Sequence, residues 1–163
     1  MLAALNSNKY IHFVGLAGCG MLPLARILKS SGFLVSGSDR CTHKLNSLKE
    51  EGFTTFNQHS KENIKNASHI VYSSAIAKDN PELKAASDYN KNILHRSDLL
   101  SLILNSHPNI TIAGAHGKTT TSAMIVHMLS YCGLKVVPIV GGNLKLNHKL
   151  CLENVDYIVA EAD

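Results

Sequence analysis

The sequence predicts an α/β fold with parallel sheets. Short runs of β-branched residues alternate with helical stretches along the chain, which is typical of parallel sheets covered by helices. Two of the predicted strand-to-helix turns are rich in glycine, and such turns are where α/β proteins bind phosphate groups. A composition of 45% hydrophobic and 17% charged residues over 163 positions fits a folded chain with a sizeable core.

The predicted elements alternate along most of the chain. Strands are predicted over residues 10–15, 33–37, 53–56, 69–73, 92–94, 109–113, 136–140 and 156–160. Helices are predicted over residues 20–31, 44–51, 81–89, 97–105 and 117–132. In the first helix Pro23 is tolerated because it falls in the first turn, and Gly32 ends the helix. Ser60 and Ser97 are predicted helix N-caps.

A turn-rich break, Asn-Ser-His-Pro-Asn at residues 105–109, separates two series of elements. It predicts a first domain over residues 1–106 and a second over residues 107–163. The second series has fewer strands and helices than a parallel α/β domain needs. We therefore expect the second domain to be incomplete, either because the chain is cut or because its reading frame ends early.

Charge and cysteine usage disfavour several classes of protein. The formal net charge is +4, yet no run of five basic residues occurs, so the sequence does not indicate nucleic-acid binding. The sequence has no recognisable signal peptide, no apolar run long enough to span a bilayer and no metal-binding cysteine spacing. We expect a cytoplasmic protein without membrane or nucleic-acid partners. The oligomeric state stays open.

The first glycine-rich loop, residues 15–21, reads Gly-Leu-Ala-Gly-Cys-Gly-Met, and Ala17 takes the middle glycine position of the dinucleotide-binding pattern. Glycines at such a turn let the backbone approach a pyrophosphate, and the helix N-terminus favours its charge. Asp39 closes the next strand, where an acidic residue would meet a ribose hydroxyl. The loop predicts a Rossmann-like domain, although a tight turn without a ligand has the same pattern.

The second loop, residues 114–121, reads Gly-Ala-His-Gly-Lys-Thr-Thr-Thr between a strand and a helix. Lys118 can reach the β- and γ-phosphates of ATP, and Thr119 can offer its hydroxyl to Mg²⁺. Ile112 stands where the usual P-loop has its first glycine, so this is a shorter variant that opens a P-loop α/β domain. His116 is either a surface side chain or a phosphate contact. Glu161 at the last strand end is either a Mg²⁺ ligand or an ordinary solvated carboxylate.

With both loops in place, the sequence resembles the Mur ligases of peptidoglycan synthesis. The resembling segments run in family order from residue 11 to residue 163: IHFVGLAGCGM, VSGSD, VYSSAI, ILHRSDLL, TIAGAHGKTTTSAM, VGGNLK and DYIVAEAD. The resemblance implies three domains, of which this chain would hold the first, binding a UDP-sugar, and the opening of the second, binding ATP. It implies a role in cell-wall biogenesis, and so in cell shape and division.

The resemblance also implies a reaction. Mg-ATP phosphorylates the lactyl carboxylate of UDP-N-acetylmuramate, and the amine of L-alanine attacks the acyl phosphate to form an amide, with ADP and phosphate as products. We expect the 163-residue chain alone to be inactive. Three alternatives stay open: a related ligase that attaches a peptide to the same nucleotide sugar, a nicotinamide-binding Rossmann domain, and a non-catalytic nucleotide-sugar-binding module.

Residue roles follow from position in the family's motifs. The resemblance implies that Lys118 is catalytic and that Thr119 and Glu161 hold Mg²⁺. ATP would be bound by the second loop: Gly114, Ala115, His116, Gly117, Lys118, Thr119 and Thr120. The UDP-sugar would be bound by the first loop and three later segments: Gly15, Ala17, Gly18, Cys19, Gly20, Met21, Asp39, Ser73, Ser74, Ala75, His95 and Arg96.

Overall fold

The computed structural model describes residues 10–141 and 150–162, which form two β-sheets with helices packed against them. The first sheet has five strands and the second has three, and all pairings between these strands are parallel. The predicted α/β fold with parallel sheets is thereby confirmed. Residues 142–145 of the VGGNLK segment and Asp163 lie outside the described residues.

The first sheet is a five-stranded Rossmann-like sheet. Its strands are β1 (Tyr10–Val14), β2 (Leu34–Ser38), β3 (Thr54–Phe56), β4 (His69–Tyr72) and β5 (Asn92–His95). Its helices are α1 (Leu22–Ser30), α2 (Thr42–Glu50), α3 (Pro81–Asp88) and α4 (Arg96–Leu104), with a 3-10 helix at Lys61–Ile64. The spatial order β3-β2-β1-β4-β5 reverses between β1 and β4, and ligands of such sheets bind at the carboxyl ends of the strands beside that reversal.

The second sheet follows the break in the sequence. It consists of β6 (Asn109–Ile112), β7 (Val136–Ile139) and β8 (Tyr157–Glu161), with α5 (Lys118–Tyr131) between β6 and β7. The spatial order is β6-β8-β7. Because β8 is central and Ile112 pairs with Glu161, the Glu161 carboxylate lies at the same sheet edge from which the second loop departs.

The hydrophobic core connects the two sheets. One face of the first helix and the residue before it are buried, with Met21, Leu24, Ala25 and Leu28 each at most 3% exposed. The same hydrophobic cluster also includes residues of the second sheet: Val137, Ile139, Ile158 and Ala160. Residues of both sheets therefore belong to one continuous apolar cluster, while the division into domains at residues 106 and 107 remains a prediction.

The structure corrects the predicted start of α4. The helix begins at Arg96, directly after β5, and its N-cap is His95 rather than Ser97. The Ser97 N–H donates to His95 Nδ1, and the His95 N–H donates to the Asp98 carboxylate. Ser97 was the wrong choice because a histidine ring and an acidic residue three positions later supply the same reciprocal capping that a serine would.

Two further boundaries differ from the prediction. Helix α2 begins at Thr42, two residues before the predicted start at Lys44. Ser60 does precede a helix, but that helix is a 3-10 turn and the Ser60 hydroxyl bonds the Glu62 carboxylate instead of a backbone N–H. In the described ranges, no helix combines the length and apolar character needed to cross a membrane.

Candidate nucleotide-binding site

The first glycine-rich loop is tied to the carboxyl end of β2. The N–H groups of Gly15 and Leu16 both donate to the Ser38 carbonyl oxygen, at 2.8 and 3.0 Å. Gly15 has a φ of +82°, in the left-handed region that glycine adopts without strain. The Gly18 N–H then donates back to the Gly15 carbonyl at 3.1 Å. These bonds turn the chain sharply out of β1 and into α1.

Two successive backbone donors of this loop are available to a ligand. In residues 10–141 and 150–162, the N–H groups of Cys19 and Gly20 have no hydrogen-bond acceptor, whereas that of Met21 donates to the Gly18 carbonyl. Both free donors belong to residues that line a cleft at the N-terminal end of α1. Adjacent free N–H groups at a helix N-terminus form a favourable site for a phosphate oxygen.

Asp39 shapes the same loop. Its Oδ2 atom accepts a hydrogen bond from the Ala17 N–H at 2.9 Å, and its Oδ1 atom accepts one from the Cys41 N–H at 2.9 Å. The predicted contact between Asp39 and a ribose hydroxyl remains a prediction. Through these two hydrogen bonds the Asp39 carboxylate, directly after β2, fixes the position of the loop backbone.

A cleft of about 430 Å³ joins the first loop to the second sheet. It is lined by nine of the predicted site residues: Gly18, Cys19, Gly20, Met21, Ser73, Ser74, Ala75, Arg96 and Glu161. The predicted UDP-sugar residues of the first sheet thus face the predicted Mg²⁺ ligand of the second sheet. His95 does not line this cleft or the neighbouring one that contains Asp39. Its Nε2 atom lies 3.1 Å from Ser74 Oγ, so His95 contacts a residue that lines the first cleft.

A second cleft, of about 610 Å³, lies on the other side of the first loop. Gly15 and Asp39 line it together with His59 and Asn80. Ala75 lines both clefts. The loop therefore forms a ridge with one cleft on each side, an arrangement in which an elongated ligand can place its central phosphates on the loop and its two ends in the clefts.

The second loop leads from β6 into α5. Gly117 caps α5 in the left-handed conformation, with a φ of +80°. The first backbone hydrogen bond of the helix runs from the Thr121 N–H to the Gly117 carbonyl, so the N–H groups of residues 118–120 are left for an anion. Lys118 Nζ donates to the Gly114 carbonyl at 2.8 Å. Thr119 and His116 are exposed, and their roles remain predictions.

Glu161 has one carboxylate oxygen in use and one without a partner. Its Oε2 atom accepts from the Gly141 N–H at 3.2 Å. Its Oε1 atom is buried and has no hydrogen-bond partner among the described residues. A buried unpaired carboxylate oxygen suits a cation. The described part of the chain holds no cluster of three or more His, Cys, Asp or Glu side chains able to hold a metal, so any Mg²⁺ here would depend on phosphate oxygens as well.

A buried polar network behind the second cleft was missed by the sequence analysis. Glu82 is fully buried. Its Oε2 atom accepts from Ser38 Oγ at 2.6 Å, and its Oε1 atom accepts from Asn63 Nδ2 at 2.7 Å. His59 Nδ1 lies 2.8 Å from Oε2, and His12 Nε2 lies 3.3 Å from Oε1 without hydrogen-bonding geometry. No motif marks this network, because its members come from four separate stretches of the sequence: residue 12, residue 38, residues 59–63 and residue 82.

The network controls the charge of Glu82. Burial alone would raise the pKa of this carboxyl, but nearby His12 and the hydrogen bonds from Ser38 and Asn63 outweigh burial and lower the pKa from 4.5 to about 2. Glu82 is therefore an ionised carboxylate in the interior, with one carboxylate oxygen accepting from Ser38 and the other from Asn63.

Comparison with known proteins places the chain in one family. The sequence profile described as "Mur ligase family, catalytic domain" matches residues 10–108. The UDP-N-acetylmuramate–L-alanine ligase of Clostridium perfringens is 39% identical over 158 residues, which is 95% of this chain and 35% of that protein. The enzyme of the same name from Vesicomyosocius okutanii is 43% identical over 157 residues, 94% of this chain and 33% of that protein. The chain thus spans about a third of the length of these relatives.

Solved structures agree with that placement. The UDP-N-acetylmuramate–alanine ligase of Thermotoga maritima superimposes with a TM-score of 0.83 at 30% identity, covering 93% of this chain and 36% of that one. The UDP-N-acetylmuramate:L-alanyl-gamma-D-glutamyl-meso-diaminopimelate ligase of Neisseria meningitides gives a TM-score of 0.86 at 26% identity, covering 96% of this chain and 53% of that one.

Proposed function

The chain belongs to the Mur ligase family, and from this premise we propose that it forms the front part of an ATP-dependent ligase that joins L-alanine to UDP-N-acetylmuramate in peptidoglycan synthesis. The observation that carries the proposal is the cleft in which the first glycine-rich loop and Arg96 face Glu161. One cleft then serves both the nucleotide sugar and the site of phosphoryl transfer. The names of the relatives at 39% and 43% identity support the same substrates.

In this proposal the first loop seats the pyrophosphate of the UDP-sugar. The free N–H groups of Cys19 and Gly20, the N-terminus of α1 and the Arg96 guanidinium supply positive charge and donors. The sugar end, whose carboxylate must reach the ATP, lies in the cleft toward Glu161. The nucleoside end then lies in the second cleft, beside Asp39.

The second loop is proposed to hold ATP, with Mg²⁺ held by Thr119 and Glu161. When bound, ATP with Mg²⁺ supplies the phosphoryl group that activates the sugar's carboxylate. Lys118 neutralises charge on the phosphates, and the N–H groups of residues 118–120 orient them. The unpaired Oε1 atom of Glu161 and its position beside the end of β6 support this assignment. Positioning and charge neutralisation are the main demands of such a transfer.

We propose the cytoplasm as the location, because the four cysteines are unpaired, as in proteins of reducing compartments. Nucleic acid and membrane are not proposed as partners. The proposed domains are residues 1–106 and 107–163, and the family profile supports this division because its match ends at residue 108.

A ligase that attaches a peptide to the same nucleotide sugar is the second candidate. It is supported by the TM-score of 0.86 with the Neisseria enzyme. Sequence identity favours alanine instead, since the Thermotoga alanine ligase is 30% identical and the Neisseria peptide ligase 26%.

The deciding experiment uses the full-length protein that contains this chain. ADP release is measured with UDP-N-acetylmuramate and either L-alanine or the tripeptide L-alanyl-γ-D-glutamyl-meso-diaminopimelate. Alanine-dependent release supports the proposal, and release with the tripeptide alone selects the second candidate. Absence of release with both sinks the ligase proposal, and tighter binding of NADH than of the UDP-sugar would favour a nicotinamide-binding domain. The 163-residue chain itself is expected to bind the UDP-sugar without turnover, because its relatives are about three times as long.

A further inference from the structure

His59 connects the buried network to the second cleft. Its Nδ1 atom lies 2.8 Å from Glu82 Oε2 and 2.8 Å from Ser38 Oγ. Glu82 and Ser38 are fully buried, whereas the His59 side chain keeps 11% of its surface exposed. His59 also lines the cleft that contains Asp39. The ring nitrogen Nδ1 is therefore engaged by the buried network, and Nε2 is the ring nitrogen that this network leaves unused.

The partners of Nδ1 decide which ring nitrogen carries the proton. The ionised Glu82 carboxylate can only accept hydrogen bonds. The Ser38 hydroxyl donates its hydrogen to that same carboxylate at 2.6 Å, so toward His59 it too can only accept. Nδ1 must therefore carry the hydrogen. A neutral imidazole with its proton on Nδ1 has a lone pair on Nε2, which makes Nε2 a hydrogen-bond acceptor.

Resting on the proposed function, we propose that His59 selects the base of the sugar nucleotide: its Nε2 atom accepts a hydrogen bond from the imide N–H of uracil. Glu82 is then the positioning residue that holds His59 in this tautomer. Cytosine carries a lone pair at the same ring position, so it would face Nε2 with acceptor against acceptor. Ser38 connects this selection to the phosphate site, because its carbonyl oxygen also accepts the N–H groups of Gly15 and Leu16.

Two substitutions at one position test the acceptor. In His59→Asn the side-chain amide can take the place of Nδ1 beside Glu82, but nothing replaces Nε2. In His59→Gln the amide oxygen can take the place of Nε2, but the link to Glu82 is lost. Binding of UDP and CDP to the 163-residue chain is measured by calorimetry for wild type and both variants.

The wild type is expected to prefer UDP over CDP by about tenfold, the usual effect of one hydrogen bond that is made or opposed. His59→Asn should abolish the preference, because UDP loses its hydrogen bond to Nε2 and CDP no longer faces an opposing acceptor. His59→Gln should keep part of the preference. An undiminished preference in His59→Asn overturns the inference and leaves the proposed function standing. Failure of the wild type to bind either nucleotide counts against the proposed function itself.

The positioning role of Glu82 is tested through the tautomer of His59. Long-range ¹⁵N–¹H correlation spectra of wild type should show His59 with its proton on Nδ1, the signal being assigned by its loss in His59→Asn. A proton on Nε2 overturns the inference.

In a double-mutant cycle, Glu82→Ala and His59→Asn should each remove the UDP preference and together remove no more. Additive losses would contradict the role of Glu82. If Glu82→Ala fails to fold, the tautomer and the two His59 variants still decide.

Discussion

The Arg96 guanidinium packs directly on Gly20: its Nη1 atom lies 2.7 Å from the position that a Cβ atom would take on this glycine. Gly20 carries one of the two free N–H groups of the first loop. Backbone donor and guanidinium are thus held side by side at the N-terminal end of α1. The absence of a side chain at residue 20 is what allows a cation to lie against the phosphate-binding backbone.

Gly20→Ala is therefore expected to displace the guanidinium and to weaken UDP binding by about tenfold, the effect of losing one charge-assisted hydrogen bond. Arg96→Ala should cause a similar loss, and the double variant should lose no more than either single variant. Calorimetric titration of the three variants with UDP measures this. Additive losses would show that the two residues act separately.

Gly37→Ala is the matched contrast, because the new Cβ atom would collide with a backbone atom and not only with a side chain. A Cβ atom on Gly37 would lie 2.8 Å from the Phe13 carbonyl oxygen and 2.5 Å from Leu16 Cβ. The strands would have to separate, so we expect the free energy of unfolding to fall by about 2–3 kcal/mol. Gly20→Ala should change it by less than about 1 kcal/mol, since a flexible side chain can move aside. Urea denaturation distinguishes the two.

Asp39 gives a third prediction. Replacing it by alanine removes the acceptors of the Ala17 and Cys41 N–H groups and should lower the free energy of unfolding by about 2 kcal/mol. Amide hydrogen exchange at Ala17 should become faster, because its protecting hydrogen bond is gone. Asp88→Ala is the control, since Asp88 is an exposed carboxylate at the end of α3. Unchanged exchange at Ala17 in Asp39→Ala would contradict the bracing role.

These residues show what could be predicted from the sequence. The alternation of strands and helices and the position of both glycine-rich loops were predictable, because each depends on local patterns of a few residues. Asp39 was found by its spacing from the first loop, but its bonds to Ala17 and Cys41 depend on the exact path of the backbone. Glu82 could not be found, since after Pro81 it reads as an ordinary acidic residue in a first helical turn.

Glu82 makes stability depend on pH. Its pKa is lowered from 4.5 to about 2 in the folded chain, so the folded state binds the proton less readily than the unfolded state. The resulting stabilisation is fully present above the unfolded pKa of 4.5 and is lost as the pH falls toward 2. The loss should be on the order of 3 kcal/mol.

The test compares the free energy of unfolding of wild type and Glu82→Gln at several pH values. The difference between them should shrink as the pH falls from 5 to about 2, and a constant difference would contradict the low pKa.

Lys118 is the residue on which the phosphoryl transfer should depend most. Its ammonium group donates to the Gly114 carbonyl at 2.8 Å, so the side chain is folded over its own loop, where the phosphates would enter. In the full-length protein Lys118→Ala should lower kcat for alanine-dependent ADP release by about 10²–10³-fold, the usual cost of removing one charge-stabilising donor from a transition state. Lys135→Ala, which removes an exposed lysine directly before β7, should leave kcat unchanged. UDP affinity should be the same in both variants, because the first loop is untouched. A loss of UDP binding in Lys118→Ala would show instead that the two loops act as one site.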